Sequence, residues 1–232
     1  LVGLSFALQP HEAWYVPVPA DRSETQAILE EFRGVLEDET IEKIGQNLKY
    51  DAIVLKNYGI RLNGPYWDTM LAHYLLEPEL RHNMNYMSET CLKYSPVKIE
   101  ELIGKKGPAQ LTMREVPVEK VKEYAAEDAD ITLRLRDYLK PKLEEGGRRL
   151  VQLFHEVETP LVKVLADLEY AGVRIDTGFL QDYAITLDQQ IREREMAILA
   201  STGYQFNVAS PRQLGEVLFD RMKIPYPGRK MK

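Results

Sequence analysis

The sequence predicts an α/β fold that is followed by a smaller, mainly helical segment. In the first half, strand-like runs at residues 1–8 and 14–18 flank a turn. Helix and strand signals then alternate, as in a sheet flanked by helices. Beyond residues 144–147 the pattern is that of helices joined by short connections. We therefore predict two domains, residues 1–145 and residues 146–232.

Local signals set the predicted elements of the first domain. Residues 23–26 have the spacing of a capping box, and Ile28, Leu29, Phe32 and Leu36 follow at helical intervals. The other predicted elements are a strand at 41–45, a helix at 49–58, a strand at 59–62, a helix capped by Asp68, an exposed loop region at 96–111 and a helix at 118–139.

The predicted second domain begins with an amphipathic helix. Leu161, Val164, Leu165 and Leu168 form its apolar stripe, and Gly172 is suited to its C-terminal end. The elements predicted after it are a short strand at 173–175, a helix capped by Asp176 that runs to residue 199, and a helix capped by Ser210.

The composition limits how this chain can meet other molecules. Its 36 acidic and 30 basic residues leave a formal charge of −6. That balance argues against a protein that holds nucleic acid mainly through a basic surface, but it is compatible with a metal-dependent enzyme that acts on nucleic acid. No apolar run reaches the roughly 18 residues of a membrane-spanning helix. The single cysteine, Cys91, cannot form an intrachain disulfide, which fits a reducing cytoplasm.

A carboxylate lies on the apolar face of the helix predicted at 118–139. On a helical projection Asp128 falls in the middle of that face, whereas Glu127 and Asp130 project toward solvent. A buried carboxylate is costly unless it is paired, hydrogen-bonded or bound to metal. Tyr124 lies one turn earlier, so its hydroxyl can reach the same site. The alternative is a structural aspartate that is satisfied by a helix end or an arginine.

Asp51 is a second candidate carboxylate, in the first turn of the helix predicted at 49–58. A strand precedes this turn, and α/β sheets present ligands at such edges. The alternative is a structural role in which Asp51 interacts with the helix dipole. We expect Asp51, Tyr124 and Asp128 to share one site, and acidic side chains without cysteine favour Mg²⁺ or Mn²⁺.

Two segments resemble motifs of a known enzyme family. Residues 47–51 (NLKYD) and 124–130 (YAAEDAD) are similar to the second and third motifs of the 3′–5′ exonuclease domain in the bacterial DNA polymerase I family. The third motif has the Tyr-x-x-x-Asp form of the Asp-Glu-Asp-Asp exonucleases. Further similar segments are residues 1–7, 67–70 and 110–112 of the exonuclease domain and residues 172–176 and 206–214 at the start of the polymerase region, near the base of the thumb.

This resemblance implies a ribonuclease H-like fold, with a mixed sheet flanked by helices, and proofreading of single-stranded DNA 3′ ends. In the family, four carboxylates hold two Mg²⁺ or Mn²⁺ ions, and a tyrosine orients the attacking water. By resemblance, Asp51 and Asp128 are catalytic and metal-binding, and Tyr124 is the catalytic tyrosine. The residues that match positions near the bound DNA are Gln46, Asn47, Lys49, Tyr50 and Arg81.

The family's first motif, Asp-x-Glu, lies on a strand before the segment that matches residues 1–7. The only Asp-x-Glu here, residues 167–169, lies on an amphipathic helix, and we interpret it as solvated surface. The resemblance therefore implies part of a longer polymerase without the first strand, and we expect these residues alone to be inactive. In the family that strand separates the strands at 1–7 and 41–45. We expect these two to pair directly, to accept a strand from another molecule or to be locally disordered.

Two alternatives to a proofreading exonuclease stay open. One is a non-catalytic module that supports the polymerase. The other is a ribonuclease D-like enzyme, which has the same exonuclease motifs but degrades RNA, although the polymerase-like stretch at 172–214 counts against it. The expected partners are the 3′ end of single-stranded DNA, primer–template DNA and the remainder of the polymerase, with no membrane.

Overall fold

The computed structural model of the chain describes residues 1–225. Contacts divide the chain into two units, Leu1–Gly172 and Val173–Lys232. No helix within the described part of the chain is long and apolar enough to cross a membrane. The strands of the first unit are β1 (Gly3–Gln9), β2 (Glu12–Pro17), β3 (Lys43–Gly45) and β4 (Tyr66–Asp68). Its helices are α1 (Arg22–Glu37), α2 (Leu48–Lys56), α3 (Thr69–Leu76), α4 (Met84–Met87), α5 (Ile99–Ile103), α6 (Val118–Glu145), α7 (Arg148–Gln152) and α8 (Thr159–Ala171).

The strands form two separate pairs. β1 and β2 form an antiparallel hairpin in which Phe6 lies opposite Trp14. β3 and β4 run parallel, with Ile44 opposite Trp67. Both orientations expected for a mixed sheet are therefore present, and helices pack around them, which confirms the α/β class.

β1 and β3 do not pair with each other in the described residues. The expectation that they would pair directly is therefore wrong, as is the expectation of local disorder, because both form regular strands. Instead α6 contacts β1, β2 and β3, so one long helix supports both sheets. Because α6 supplies this common support, β1 and β3 keep their places without hydrogen bonds between them. Pairing with a strand of another molecule stays a prediction.

β4 separates two hydrophobic clusters, because successive side chains of a strand point to opposite faces. Tyr66 packs with residues of α1 and α2, whereas Trp67 packs with residues of α3 and α6. The ring of Trp67 lies 5.2 Å from that of Phe154. The first cluster is Leu29, Leu36, Leu48, Leu55, Ile60, Leu62, Tyr66 and Val162. The second is Trp67, Ala72, Met87, Ile131, Leu135, Leu139, Leu143 and Phe154.

Asp68 joins the ends of both parallel strands to the helices that follow them. Its side chain is 1% exposed and accepts hydrogen bonds from the N–H groups of Met70 and Leu71, which confirms it as the N-cap of α3. It also accepts from Asn47 N–H at 3.2 Å and Leu48 N–H at 2.8 Å, at the start of α2. Asn47 makes no side-chain cap of its own. One carboxylate therefore caps two helices.

The strand predicted at 59–62 is not formed. Gly59 has a left-handed backbone (φ +71°), and the N–H of Ile60 donates to the carbonyl of Leu55 at the end of α2. These interactions end the helix and use a backbone group that a strand would need. The parallel partner of β3 is instead β4, a few residues later.

The predicted start of α1 is also wrong. The capping box placed at residues 23–26 lies inside the helix, and the N-cap is Asp21, whose side chain accepts from Ser23 and Glu24 N–H. An aspartate two residues upstream forms the same kind of cap, so the local signal identifies the helix but misplaces its first residue.

The apolar stripe predicted for α8 faces solvent rather than the core. The stripe residues are between 39% and 62% exposed, namely Leu161, Val164, Leu165 and Leu168. α8 instead buries Val162 and Ala166 and packs against α2. Asp167, next to the buried Ala166, bonds to Lys56 of α2 at 2.5 Å. This pair favours the orientation in which Val162 and Ala166 are buried. Through this packing the first unit extends to Gly172, and the domain boundary near residue 145 stays a prediction.

The second unit contains α9 (Thr177–Thr202) and α10 (Pro211–Gly215). The predicted caps are confirmed, because Asp176 accepts from Phe179 N–H and Ser210 accepts from Gln213 N–H. The strand predicted at 173–175 is wrong, since this segment is extended coil with Val173 88% exposed. An isolated strand without a paired neighbour gains no hydrogen bonds. Residues 226–232 of the predicted second domain lie outside the described residues.

We expect Asp68→Ala to destabilise the first unit more than loss of an ordinary cap does. Removal of two caps at a buried position should lower the free energy of unfolding by roughly 2–4 kcal/mol. Asp21→Ala, which removes one exposed cap, is the matched control and should cost about 1 kcal/mol. Urea unfolding followed by the fluorescence of buried Trp67 measures both. Equal losses in the two variants would contradict the double cap.

Candidate active site

Asp51 lies in the first turn of α2, where β3 leads into the helix. Asp51 itself is exposed, and the protein atoms around its carboxylate partly remove that group from water. This enclosure, followed by the nearby negative charge of Asp68, raises the pKa of Asp51 to about 7. A bound cation would offset both effects.

Tyr124 and Asp128 lie on successive turns of α6, and both are half-buried. Burial raises the pKa of Asp128 to about 6, while a hydrogen bond from the Tyr124 hydroxyl acts in the opposite direction and the charge of Glu127 adds to the rise. Burial and the adjacent Asp128 carboxylate also raise the pKa of Tyr124. The tyrosine therefore stays protonated and serves as a hydrogen-bond donor at neutral pH.

The two candidate carboxylates come from different elements of the first unit. Asp51 follows β3, and α6, which carries Asp128, contacts β3. The neighbouring charge that acts on Asp51 is Asp68, whereas Asp128 interacts with Tyr124 and Glu127. The described residues hold no group of three or more Asp, Glu, His or Cys side chains arranged for a metal ion. That Asp51 and Asp128 share one metal site stays a prediction, and their oxygen donors fit Mg²⁺ or Mn²⁺.

Gln46 connects the start of α2 with the segment before α4. Its Nε2 donates to the carbonyl of His82 at 2.8 Å, and its Oε1 accepts from the Thr69 hydroxyl. This places the exposed Arg81, the residue before His82, at the same end of the parallel strands. Asn47 adopts a left-handed backbone (φ 64°) and makes no side-chain cap. The amide of Gln46 is thus engaged in the fold.

Near the start of α2, the aromatic residue is exposed, whereas the lysines form salt bridges. Tyr50 is 65% exposed. Lys49 forms a salt bridge with Glu169 of α8, and Lys56 forms one with Asp167. The Asp-x-Glu segment, interpreted from the sequence as solvated surface, is therefore exposed but paired with α2. Its carboxylates hold α8 on α2 through these contacts.

Glu127 and Asp130, predicted to project away from the apolar face toward solvent, are both partly buried and bonded to other groups. Glu127 accepts from the Tyr94 hydroxyl at 2.5 Å and from Val97 N–H at 2.8 Å. The side chain of Asp130 is 14% exposed and pairs with Arg134 at 3.1 Å. The polar face of α6 therefore anchors the segment that leads to α5.

Two interactions near the site are missed by sequence reasoning. Asp68 caps α2 as well as α3, and the N–H groups that it binds in α2 are 20 and 21 residues earlier in the chain. The Nδ1 atoms of His73 and His82 lie 2.7 Å apart, and His73 is 3% exposed. Both interactions depend on how β4 and α3 pack, so no short-range spacing signals them.

The raised pKa values predict how stability depends on pH. Asp51 and Asp128 have folded-state pKa values above the ordinary 3.8. At these two groups the folded protein therefore binds more protons than the unfolded chain between about pH 4 and pH 7, so their contribution to the free energy of unfolding should fall as the pH rises through this range. Asp51→Asn in EDTA should reduce that fall when urea unfolding is measured from pH 5 to pH 8.

Glu79→Gln is the control for this measurement, because Glu79 is exposed in the loop after α3. This substitution removes one acidic group other than Asp51 and Asp128, so the pH profile of the variant should follow that of the unmodified chain. An unchanged pH profile in Asp51→Asn would contradict the raised pKa of Asp51.

Comparison with known proteins shows which family the chain resembles. The family model described as 3′–5′ exonuclease matches residues 1–144. The chain is 37% identical over 234 residues to DNA polymerase I of Pseudomonas aeruginosa, covering 97% of this chain and 25% of that polymerase. The chain thus spans about a quarter of the length of this curated relative.

Solved structures share the fold. The polymerase domain of Pol1 from M. smegmatis, in complex with DNA primer-template and dNTP, has a TM-score of 0.75 and 25% identity, covering 95% of this chain and 34% of that one. Brucella melitensis NrnC has a TM-score of 0.55 and 22% identity, covering 73% and 83%. NrnC with bound Mg²⁺ has a TM-score of 0.50 and 20% identity, covering 75% and 87%. With the family model matching well over half of its length, the chain belongs to the 3′–5′ exonuclease family.

Proposed function

We propose that this chain is the 3′–5′ exonuclease part of a DNA polymerase I, followed by the start of the polymerase region from residue 146. Its substrate is the 3′ end of single-stranded DNA, which a mispaired primer terminus provides. Similarity to DNA polymerase I over 97% of the chain supports this assignment. Proofreading during replication and repair is the activity that such a part would serve.

The observation that carries the proposal is the Tyr124–Asp128 pair on α6. Tyr124 and Asp128 lie one turn apart on α6, the hydroxyl is protonated at neutral pH, and burial raises the pKa of the neighbouring carboxylate. A donor fixed beside a carboxylate can hold a water molecule in one orientation, and such positioning is a large part of catalysis. Tyr124 therefore orients the attacking water in this proposal.

Asp51 and Asp128 are the residues that would hold Mg²⁺ or Mn²⁺. A divalent ion in such a site lowers the pKa of water and stabilises charge on the leaving oxygen. A bound cation would favour the ionised forms of both carboxylates, which the surrounding protein disfavours. The resemblance assigns two further carboxylates to the family's first motif, so full activity needs ligands in addition to these two.

The residues around the start of α2 are proposed to meet the DNA strand. Arg81 and Tyr50 are exposed and can reach a phosphate and a base. Asn47 offers a side-chain amide, whereas Gln46 positions the Arg81 segment through His82. Lys49 can bind phosphate only in competition with Glu169.

An RNA exonuclease of the ribonuclease D type is the second candidate. The fold likeness to NrnC is compatible with it, but at 22% identity this likeness concerns the fold alone. Similarity to DNA polymerase I over 97% of the chain favours DNA. Cleavage of matched DNA and RNA oligonucleotides by the intact polymerase separates the two, because a 2′-hydroxyl preference would favour the second candidate.

In a polymerase that contains this chain, we expect Asp128→Ala to abolish proofreading and to leave nucleotide incorporation nearly unchanged. The two chemistries would use separate domains. Tyr124→Phe should be milder, because it disturbs the orientation of water without removing a metal-binding charge. Excision of a mismatched 3′ nucleotide and primer extension are measured on the same preparations. Equal loss of extension in Asp128→Ala would point to misfolding.

Arg81→Gln should weaken binding of a single-stranded oligonucleotide and lower the slope of log affinity against log salt by about one. Lys49→Gln should have a smaller effect, because its ammonium group is already paired. Arg149→Gln, an exposed arginine of α7, is the matched control. Fluorescence anisotropy at several salt concentrations in EDTA measures all three. Equal effects of Arg81→Gln and Arg149→Gln would remove Arg81 from the interface.

A further inference from the structure

Two histidines join α3 to the residues that carry Arg81. We call residues 77–82, between the end of α3 and the N-cap of α4, the Arg81 segment. The Nδ1 atoms of His73 in α3 and His82 in this segment lie 2.7 Å apart. Among the described residues, side-chain hydrogen bonds reach the Arg81 segment from His73 and from Gln46, which donates to the carbonyl of His82. The histidine pair is therefore one of two side-chain contacts that fix where this segment lies.

The orientation of the two imidazole rings is set by their neighbours. His73 is 3% exposed, and its ring lies edge-on to that of His82 with 5.0 Å between the ring centres. Tyr86 of α4 lies edge-on to His73 at 6.5 Å, and Tyr74 of α3 lies edge-on to His82 at 5.4 Å. Turning either ring would disrupt these contacts, so the packing keeps the two Nδ1 atoms facing each other.

A hydrogen bond between two Nδ1 atoms needs one proton and one lone pair. A neutral imidazole has one protonated and one unprotonated nitrogen, so one ring donates through its Nδ1–H and the other accepts. A first proton taken up from solvent can bind Nε2 of the donor ring, and the hydrogen bond persists. A second proton has to take the Nδ1 lone pair of the acceptor ring. The hydrogen bond is then lost, and two imidazolium charges face each other.

The surroundings of His73 oppose that second protonation. Burial and the charge of His82 lower the pKa of His73, whereas the carboxylate of Glu77, at the C-terminal end of α3, acts in the opposite direction. The tyrosine rings named above are the other titratable groups in contact with the pair. An ordinary histidine takes up its proton near pH 6.5. Acidification below about this pH therefore acts against the hydrogen-bonded pair.

We propose that His73 and His82 are positioning residues, which hold Arg81 beside the start of α2 through their shared proton and release it when both rings are protonated. This inference rests on the proposed function, in which Arg81 binds a phosphate of the DNA strand. Gln46 fixes the backbone of His82 and the histidine bond fixes its side chain. An arginine on a segment that is already fixed loses less conformational freedom when it binds phosphate.

Fluorescence anisotropy of a single-stranded oligonucleotide with the 232-residue chain, at pH 8 in EDTA, tests the positioning role. His82→Leu removes the hydrogen bond and keeps a side chain of similar volume. It should weaken binding about tenfold, as for loss of one charge-assisted contact. In an Arg81→Gln background the same substitution should have no further effect, because it acts through Arg81. An equal loss in both backgrounds would overturn the positioning role.

His82→Asn is the conservative variant, because an asparagine amide can take the place of Nδ1 but binds no proton. At pH 8 it should bind the oligonucleotide as the unmodified chain does. Between pH 8 and pH 5.5, the affinity of the unmodified chain relative to this variant should fall about fivefold, at the low end of typical coupling. A charge effect alone has the opposite sign, since a protonated His82 attracts DNA. A relative affinity that stays level or rises would overturn the release.

His11→Asn is the matched control, because His11 is exposed in the turn between β1 and β2 and has a left-handed backbone that suits asparagine. Its pH profile should follow that of the unmodified chain. Circular dichroism verifies that each variant is folded.

Nitrogen-15 NMR of the imidazole rings, without DNA, tests the shared proton by itself. At pH 8 we expect His73 and His82 in opposite tautomers, one protonated at Nδ1 and the other at Nε2. The same tautomer in both rings would overturn the pair. Opposite tautomers in a chain that binds no oligonucleotide would instead contradict the proposed function, and with it the role of the pair toward Arg81.

Discussion

Four backbone N–H groups from two helices donate to the carboxylate of Asp68, and the arrangement of the first unit depends on this contact. The starts of α2 and α3 lie side by side because β3 and β4 are parallel neighbours. Each helix start has unpaired donors, and a buried donor without a partner is costly. A single carboxylate at the end of β4 meets that need for both helices.

The same contact affects the pKa of Asp51 in the candidate site. The charge of Asp68 is held close to Asp51, and after burial it is the second cause of the raised pKa of Asp51. On α6, the Asp128 carboxylate is likewise removed from water and is supported by Tyr124. The pKa values of both carboxylates are therefore raised, and the proposal that they hold a cation rests on this.

Ion pairs between helices also connect α8 with α2. Asp167 and Glu169 of α8 pair with Lys56 and Lys49 of α2. These exposed ion pairs add to the packing in which α8 buries Val162 and Ala166 and leaves its leucines exposed. Lys163 on the same helix donates to the carbonyl of Gly64 and lies over the Tyr66 ring, so α8 also contacts the segment after α2.

The sequence alone determined what depends on neighbours along the chain. The hairpin, the long helix α6, the caps at Asp176 and Ser210, and the motifs that identify the exonuclease family follow from local spacing and residue type. Tyr124 and Asp128 meet because they are one helical turn apart. What only the tertiary structure decided are pairings between distant segments. Examples are the second cap of Asp68, the partners of Glu127 and the inward face of α8. The strand expected at 59–62 fails for the same reason, because β3 pairs with the later segment that brings Asp68 beneath α2. A local pattern states which residues can be buried, but packing selects which of them are.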